Sequence, residues 1–290
     1  MTLTAGALWF RGAGGALLRF DAHDAVPIDL FGATHGTILT LHGLGEHLGK
    51  YDLWAAHAAK RGFNVMLYDQ RGHGRTPGRR GNYRFEALVE DLDRFVSVTA
   101  DRYPGSPIFL LGHSLGALVV LRYAAGDIHS GVRGAILSGA PIVLSNRVPE
   151  WYRSTVRTLA RVAPWFPLRR RTAVHTRDAQ RAATFARDPL GHRNVTARAL
   201  VDTAHAIEAV RGAPETVRLP LLILLGDADT VVDVTQTIAF FEKVGSTDVT
   251  VGRHPGALHE VLQETVRDLV YDIVCSWCEK RVVTAATGRT

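Results

Sequence analysis

The sequence predicts an α/β fold, built on a mostly parallel, doubly wound sheet with an inserted helical cap. Apolar runs of strand length alternate with helix-length segments between residues 37 and 138, which is typical of a sheet covered by helices on both faces. The alternation stops after Pro141 and returns with the apolar run that starts at Leu219. A length of 290 residues suits one such domain with an insertion.

The predicted elements follow from the lengths of the apolar runs and from the turns between them. Two apolar segments around the glycine-rich turn at residues 12–15 indicate an N-terminal hairpin. The elements before the insertion are then a hairpin (7–11 and 16–20), a strand (37–41), a helix from Tyr51, a strand (64–68), a helix (85–103), a strand (107–111), a helix from Leu115 and a strand (134–138). After the insertion come a strand (219–225), a helix (235–244), a strand (248–251) and a C-terminal helix from about 260 to 282.

The core is predicted to comprise residues 1–140 and 215–290, and the cap residues 141–214. The cap is expected to contain helices and loops only. Its first helix is indicated by Arg153, Arg157 and Arg161, which recur every four residues opposite the apolar side chains of Tyr152, Val156, Leu159 and Val162. This spacing predicts an amphipathic helix with a basic stripe, whose apolar side faces inward.

A G-x-S-x-G motif directly follows one of the apolar runs. Gly112 and Gly116 flank Ser114, between the strand-like run at 107–111 and the helix-compatible run at 117–121. A sharp strand-to-helix turn holds the serine hydroxyl clear of the sheet at a helix N-terminus, where the helix dipole favours negative charge. An ordinary glycine-flanked turn can carry the same motif, but the strand and helix around it make Ser114 the candidate nucleophile.

A serine nucleophile needs a histidine base and an acid, which follow the serine in the chain order acid, histidine for this arrangement. Asp227, Asp229 and Asp233 compete for the role of the acid after the strand at 219–225. Asp229 is the candidate, because it lies just past the carboxyl end of the strand, where open α/β sheets place their sites. Asp227 falls in the tight turn, and Asp233 is expected to cap the next helix.

His259 is the candidate base. It follows the strand at 248–251 and the pair Pro255-Gly256, which can lift the chain beyond it over the sheet edge. His254 is the alternative, but it stands before Pro255 at the start of the loop.

The loop after the strand at 37–41 can supply half of an oxyanion hole. Its sequence is His-Gly-Leu-Gly-Glu-His at positions 42–47. The negative oxygen of a tetrahedral intermediate needs two preorganised N–H donors, one from the residue after the nucleophile and one from this loop. The candidate donors are the backbone N–H groups of Leu115 and Leu44. The alternative is a glycine turn that serves only to allow positive φ.

Together these segments resemble the monoacylglycerol lipase and lysophospholipase family of α/β-hydrolases. The resemblance rests on residues 42–47 with Tyr51, 68–76, 112–116, 187–190, 226–229 and 255–260, and it spans roughly residues 30 to 275. It implies an α/β-hydrolase fold and places Ser114, Asp229 and His259 on the family's catalytic triad. It also places Leu44 and Leu115 on the oxyanion amides. The chain departs from the family at Ala117, where members usually carry a second glycine.

The resemblance implies a serine hydrolase that cleaves a carboxylic ester through an acyl-enzyme, with monoacylglycerol as the first candidate substrate. A lysophospholipase or a broad-specificity carboxylesterase is the alternative, since triad and cap look alike in all of these. A non-catalytic α/β-hydrolase that only binds a ligand is a third hypothesis, disfavoured because every triad member and oxyanion glycine is present. The expected partner is a small-molecule lipid ester. No metal or cofactor is required, and the sequence leaves the oligomeric state open.

Two aromatic residues of the cap, Trp165 and Phe166, are held between Pro164 and Pro167. One interpretation is that they anchor the cap to the core. The other is that they form an apolar lip of the substrate pocket, which admits an acyl chain or touches a lipid surface.

Composition disfavours other classes of protein. The net charge of +6 comes almost wholly from arginine, and no nucleic-acid-binding module is recognisable, so a solvated basic face is expected and nucleic acid is not. Cys275 and Cys278 lie in the predicted C-terminal helix and are expected to be buried thiols rather than a redox pair or zinc ligands. Strand-sized apolar runs and the lack of a secretory signal predict a cytoplasmic protein, with transient contact between the cap and a membrane surface as a further expectation.

Overall fold

The computed structural model describes residues 7–30, 32–145, 148–170 and 175–287. The strands are β1 (Leu8–Arg11), β2 (Leu17–His23), β3 (Gly36–Leu41), β4 (Phe63–Tyr68), β5 (Ile108–His113), β6 (Val132–Ser138), β7 (Pro167–Arg169), β8 (Asn194–Thr196), β9 (Leu221–Gly226) and β10 (Val249–His254). The α-helices are α1 (Asp52–Lys60), α2 (Phe85–Arg102), α3 (Leu115–Ala124), α4 (Glu150–Val162), α5 (Ala179–Arg187), α6 (Ala197–Gly212), α7 (Val234–Phe241) and α8 (Arg267–Thr287).

The central sheet has eight strands in the order β1-β2-β4-β3-β5-β6-β9-β10. β1 pairs antiparallel with β2, and β2 pairs antiparallel with β4, while β3, β4, β5, β6, β9 and β10 run parallel. β5 lies between β3 and β6, with Leu110 opposite Leu39 on one side and Ala135 on the other. The carboxyl ends of these strands therefore bring three loops together around the end of β5.

Alternating strand residues point to opposite faces of the sheet and build two hydrophobic layers. Leu39 packs with residues of α2 and α3, such as Leu88 and Leu118. Its neighbour Ile38 packs on the other face with residues of α1 and α8, including Trp54. The predicted doubly wound α/β fold is confirmed.

The segment between β6 and β9 differs in two respects from the prediction. Its described residues contain three α-helices, as well as a two-stranded antiparallel sheet of β7 and β8 that the sequence analysis missed. Strands of three residues are too short to show a period of two. The helix with the basic stripe is present as α4, where Val156 is buried, but Val162 is 69% exposed and does not face inward. The domain boundaries at residues 140/141 and 214/215 stay a prediction.

The C-terminal helix begins later than predicted, at Arg267 rather than near Glu260. Residues Val261–Gln263 form a separate 3₁₀ turn. The carboxylate of Glu264, whose side chain is fully buried, accepts hydrogen bonds from the backbone N–H groups of Leu258 (2.9 Å) and Arg177 (3.0 Å), which binds the preceding loop to the inserted segment. This tertiary contact interrupts a helix that local propensity would have extended.

Cys275 and Cys278 are buried free thiols in α8. Burial raises the pKa of Cys275 to about 12, which opposes formation of the reactive thiolate. In the described parts of the chain, no helix combines the length and apolarity needed to span a bilayer.

Candidate active site

Ser114 lies at the carboxyl end of β5 and directly before α3. Its backbone N–H donates to the carbonyl oxygen of Ser138, the last residue of β6, over 2.9 Å. Its φ is +50°, and among the described residues it is the only non-glycine with positive φ. Such a conformation is unfavourable for a residue with a side chain and is found where the surrounding structure enforces it. The strand–turn–helix context predicted for the motif therefore surrounds Ser114.

The two glycines of the motif allow backbone segments to approach closely. A Cβ atom on Gly112 would lie 2.5 Å from the backbone carbonyl carbon of Gly116. A Cβ atom on Gly116 would lie 2.5 Å from the carbonyl oxygen of Leu41, at the end of β3. Both positions therefore require glycine, and the second contact places the loop at 42–47 beside the turn that carries Ser114.

The carboxylate of Asp229 is fully buried in the loop after β9. Its Oδ1 accepts the backbone N–H groups of Val231 (2.7 Å) and Val232 (3.1 Å), and its Oδ2 lies 2.7 Å from Nδ1 of His259. Burial by itself raises the pKa of this carboxyl, but the hydrogen bonds from His259 and the two N–H groups outweigh it and lower the pKa below its ordinary value. Asp229 is therefore ionised at neutral pH and holds the hydrogen of His259 on Nδ1.

The competing acids have other partners. Asp227 pairs with Arg253 on the surface (2.8 Å), and Asp233 accepts the backbone N–H of Gln236 (2.9 Å) as the N-cap of α7. The alternative base, His254, is the buried last residue of β10, and its Nε2 has no hydrogen-bond partner within the described chain. Of the candidates, the structure brings together Asp229 and His259.

Two further glycines make this pairing sterically feasible. A Cβ atom on Gly226 would lie 2.2 Å from the carbonyl oxygen of Leu258. A Cβ atom on Gly139, whose φ is +56°, would lie 2.8 Å from Cε1 of His259. The loops after β6, β9 and β10 thus pack in direct contact. The imidazole of His259 packs against the backbone of Gly139, which has no side chain.

The loop at 42–47 is oriented by the side chain of its first residue. Nε2 of His42 accepts the backbone N–H of Gln70 (3.0 Å), so Nδ1 carries the hydrogen and donates it to the carbonyl oxygen of Gly43 (2.8 Å). This bond orients the peptide between Gly43 and Leu44, whose N–H is a candidate oxyanion donor. Leu115 provides the other candidate at the first position of α3, where helix N–H groups lack intrahelical partners.

A buried ionic cluster beside this loop was missed by the sequence analysis. Nζ of Lys50 lies 2.5 Å from Glu46 and 2.8 Å from Glu260. The other carboxylate oxygen of Glu46 accepts the backbone N–H of Gly43 (2.8 Å). Burial raises the pKa of Glu46, but the charge of Lys50, the nearby His113 and the hydrogen bonds from Lys50 and Gly43 together outweigh it and hold this pKa well below its usual range. Because Glu260 follows His259, the cluster connects the oxyanion loop to the candidate base.

The sequence contained one signal of this cluster, because the i,i+4 spacing of Glu46 and Lys50 indicates an ion pair. The pairing of Lys50 with Glu260 gave no such signal.

Trp165 and Phe166 are exposed by 58% and 45% of their surfaces. They therefore do not anchor the inserted segment by burial in the core, and the interpretation as an apolar lip stays a prediction. Two surface clefts, of about 550 and 370 Å³, share Asp188, and neither is lined by Ser114, Asp229 or His259.

Stability is expected to fall as the pH drops below 6.5, because His113 is held neutral. This residue is 3% exposed, its Nδ1 lies 3.2 Å from Oγ of Ser138, and its ring centroid lies 5.0 Å from that of His259. Burial lowers its pKa to about 3, although the nearby Glu46 acts in the opposite direction. As the pH falls from 6.5 towards 3, His113 takes up a proton in the unfolded chain but not in the folded chain. The folded state therefore loses stability relative to the unfolded state over that range.

Each unit of pKa difference between the folded and unfolded chain corresponds to about 1.36 kcal/mol. The titration of His113 is therefore expected to lower the free energy of unfolding by about 2 kcal/mol between pH 6.5 and pH 5. The measurement is urea unfolding at pH 7 and pH 5 of the wild type and of His113→Asn, which cannot titrate. We expect a smaller difference between the two pH values in the variant. An equal difference in both proteins contradicts the prediction.

Within the described ranges, no group of three or more His, Cys, Asp or Glu side chains is arranged to hold a metal ion. A serine at a strained strand-to-helix turn, with a histidine bonded to a buried carboxylate at the same sheet edge, is the arrangement that acyl transfer requires. The fold and this site define the class: the protein is a serine hydrolase of the α/β-hydrolase fold.

Comparison with known proteins places the chain within that class. The family described as serine aminopeptidase, S33, matches residues 32–266, and the chain belongs to this family. A monoacylglycerol lipase of Mycolicibacterium smegmatis is 32% identical over 277 residues, which cover 92% of this chain and 95% of the relative. Phospholipase YtpA of Bacillus subtilis is 27% identical over 238 residues, covering 81% of this chain and 91% of the relative. The crystal structure of Paleococcus ferrophilus monoacylglycerol lipase superposes with a TM-score of 0.81 at 25% identity, covering 91% of this chain and 99% of that structure. The resemblance inferred from the sequence is confirmed.

Proposed function

We propose that this serine hydrolase cleaves monoacylglycerols to glycerol and a free fatty acid, with Ser114, His259 and Asp229 as its catalytic triad. The observation that carries the proposal is the 2.7 Å contact between Nδ1 of His259 and the buried carboxylate of Asp229, at the sheet edge where Ser114 follows β5. The similarity to a monoacylglycerol lipase over almost the whole chain supports the choice of substrate.

In the acylation step, Oγ of Ser114 attacks the ester carbonyl carbon while its proton passes to Nε2 of His259. The backbone N–H groups of Leu44 and Leu115 stabilise the oxyanion that forms. Asp229 stabilises the imidazolium and does not itself take up the proton. The carbon–oxygen bond to glycerol then breaks, and the imidazolium transfers its proton to the departing alkoxide oxygen.

In the deacylation step, water takes the place of glycerol. His259 removes a proton from the water, whose oxygen attacks the acyl carbon, and the same two N–H groups stabilise the second oxyanion. The bond to Oγ then breaks, and Ser114 recovers its proton from His259. The products are the fatty acid and the free enzyme, so the cycle needs no metal, cofactor or redox partner.

The polar groups next to the oxyanion loop favour a neutral alcohol as the leaving group. The hydroxyl of Tyr51 donates to Glu46 (2.8 Å), and the charge of Lys50 is balanced by Glu46 and Glu260. Within this cluster the charge of the lysine is balanced, which suits a neutral alcohol such as glycerol better than a phosphate.

A lysophospholipase is the second candidate. It is favoured by the similarity to a bacterial phospholipase and by Arg170, whose guanidinium has no carboxylate partner within the described part of the chain. The experiment that separates the two compares kcat/KM for monoacylglycerols, lysophospholipids and p-nitrophenyl esters of graded chain length. The proposal predicts the highest kcat/KM for a monoacylglycerol, and a preference for lysophospholipids contradicts it.

The exposed aromatic residues of the inserted segment are proposed to determine the preference for acyl length. Replacing Trp165 and Phe166 together by serine is expected to lower kcat/KM for long-chain monoacylglycerols about 10-fold or more, because each buried methylene contributes about 0.8 kcal/mol. Short p-nitrophenyl esters should be hydrolysed at nearly the wild-type rate.

The matched control is Trp9→Ser, which removes another exposed tryptophan, 43% exposed, from the N-terminal hairpin. Equal losses on short and long esters contradict the lip interpretation.

The same surface is proposed to make transient contact with membranes, since Trp151 and Val162 of α4 are also exposed, at 70% and 69%. The double variant should then bind less to sedimented lipid vesicles than Trp9→Ser does.

A further inference from the structure

Arg170 is a mostly buried cation that belongs to the inserted segment. It follows β7, and its Nη2 donates a 2.6 Å hydrogen bond to the carbonyl oxygen of Leu44. Its Nε is buried without a hydrogen-bond partner, and no carboxylate of the described residues lies within ion-pair distance. Burying a charged group without a counter-ion is unfavourable, and the bond to Leu44 is the hydrogen bond that the described residues give this guanidinium.

The bond from Arg170 completes a set of contacts around the candidate oxyanion donor. Glu46 accepts the N–H of Gly43 (2.8 Å), His42 donates to the carbonyl of Gly43 (2.8 Å), and Arg170 donates to the carbonyl of Leu44. Side chains thus occupy three of the four polar backbone groups of these two residues. The fourth is the N–H of Leu44, which has no hydrogen-bond partner among the described residues.

The inserted segment approaches this loop closely because Gly45 has no side chain. A Cβ atom on Gly45, whose φ is +86°, would lie 2.2 Å from the carbonyl oxygen of His192 and 2.4 Å from Nη2 of Arg170. The backbone N–H of His192 donates to the carbonyl oxygen of Gly45 (2.9 Å), and that of Arg170 donates to the carbonyl oxygen of Arg193 (2.9 Å). The chain around β7 and β8 therefore presents Arg170 to the loop from a fixed position.

We propose that Arg170 is a positioning residue for the oxyanion hole. By holding the carbonyl of Leu44, it restricts rotation of this residue and directs the free N–H towards the place where the oxyanion forms. The inserted segment then does more than cover the site, because its docking completes the catalytic geometry. This inference rests on the proposed function, in which Leu44 is an oxyanion donor.

The test compares Arg170→Met with Arg169→Met, which removes the same charge from the exposed neighbouring residue. The readouts are kcat and KM on p-nitrophenyl butyrate and on a lysophospholipid, and the affinity for a trifluoromethyl ketone, which binds a nucleophilic serine as a tetrahedral oxyanion. We expect Arg170→Met to lower kcat and the ketone affinity by a similar factor of about 10 to 100, with KM nearly unchanged. Arg169→Met should match the wild type in all three.

Three results overturn the inference: equal behaviour of the two variants, a fall in kcat without a fall in ketone affinity, or a rise in KM that is confined to lysophospholipids. The last would assign Arg170 to a phosphate-binding role. If Arg170→Met does not fold, Arg170→Lys carries the test. Lysine keeps the charge but loses the planar fork, so kcat and ketone affinity should fall together by about 3- to 30-fold.

The proposed function fails in a different way. If Ser114 is not the nucleophile, a fluorophosphonate will not label it in the wild type, and the ketone will not bind the wild type in competition with that label. Normal labelling and ketone binding of the wild type, combined with unchanged properties of Arg170→Met, refute the positioning role alone.

Discussion

Replacing Ser114 by alanine is expected to lower kcat for ester hydrolysis by about 10⁴-fold or more and to abolish labelling by a fluorophosphonate probe. The reason is that the hydroxyl of Ser114 is the only group proposed to form the acyl-enzyme. The fold should persist, since alanine keeps the Cβ atom and therefore adds no new strain at φ +50°. The measurements are turnover of a p-nitrophenyl ester, mass-spectrometric mapping of the label, and urea unfolding.

The matched control is Ser97→Ala, a serine on the exposed face of α2 whose hydroxyl contacts only the carbonyl of Asp93. This variant should keep wild-type turnover and labelling. Labelling of the wild-type protein at a serine other than 114 would show that the nucleophile has been assigned wrongly.

Asp229→Asn is expected to lower kcat by about 10⁴-fold at neutral pH while leaving the fold intact. The asparagine oxygen can still accept the N–H groups of Val231 and Val232. Its NH₂ group then faces Nδ1 of His259 and favours the tautomer with hydrogen on Nε2. That tautomer cannot accept the proton of Ser114, so the base is lost although every atom position is nearly unchanged.

The competing carboxylates provide controls for this variant. Asp233→Asn should keep activity within about two-fold, since asparagine is as good an N-cap as aspartate. Asp227→Asn removes only a surface ion pair with Arg253, an interaction worth about 0–1 kcal/mol. If Asp233→Asn loses as much activity as Asp229→Asn while remaining folded, the assignment of the acid is wrong.

Sequence periodicity was most informative for the central sheet. The apolar runs predicted every strand of that sheet. The signal was strongest for β3, β4, β5 and β9, which are buried at every position and whose apolar residues pack into one of two hydrophobic layers. The errors lie at element ends. β10 continues to His254, beyond the predicted end at 251, because it pairs with β9 up to Gly226. Pairing between distant segments determines such ends, and local composition does not reveal it.

In the inserted segment, contacts between distant parts of the chain matter even more, and local composition again does not reveal them. β7 and β8 are stabilised by pairing with each other and by backbone hydrogen bonds to the core, such as the one from Thr196 to Gly81 (3.0 Å). In the sequence, Arg170 lies in an arginine-rich stretch whose composition predicts a solvated surface. Its burial against Leu44 depends on how the insertion docks.

For the candidate site, the sequence by itself determined which residue types follow which strands: a serine between glycines after β5, an aspartate after β9, a histidine after β10 and a glycine-rich loop after β3. Parallel strands bring their carboxyl ends to one edge, so this order along the chain already implied that these residues lie close together. The tertiary structure decided the partners. It brought Asp229 rather than Asp233 to His259, joined Lys50 to Glu260 across 210 residues of chain, and placed Arg170 on the oxyanion loop. The physical reason is that hydrogen bonds and ion pairs depend on distances of a few tenths of an ångström between residues far apart in the chain, whereas periodicity records only which face of its own element a residue occupies.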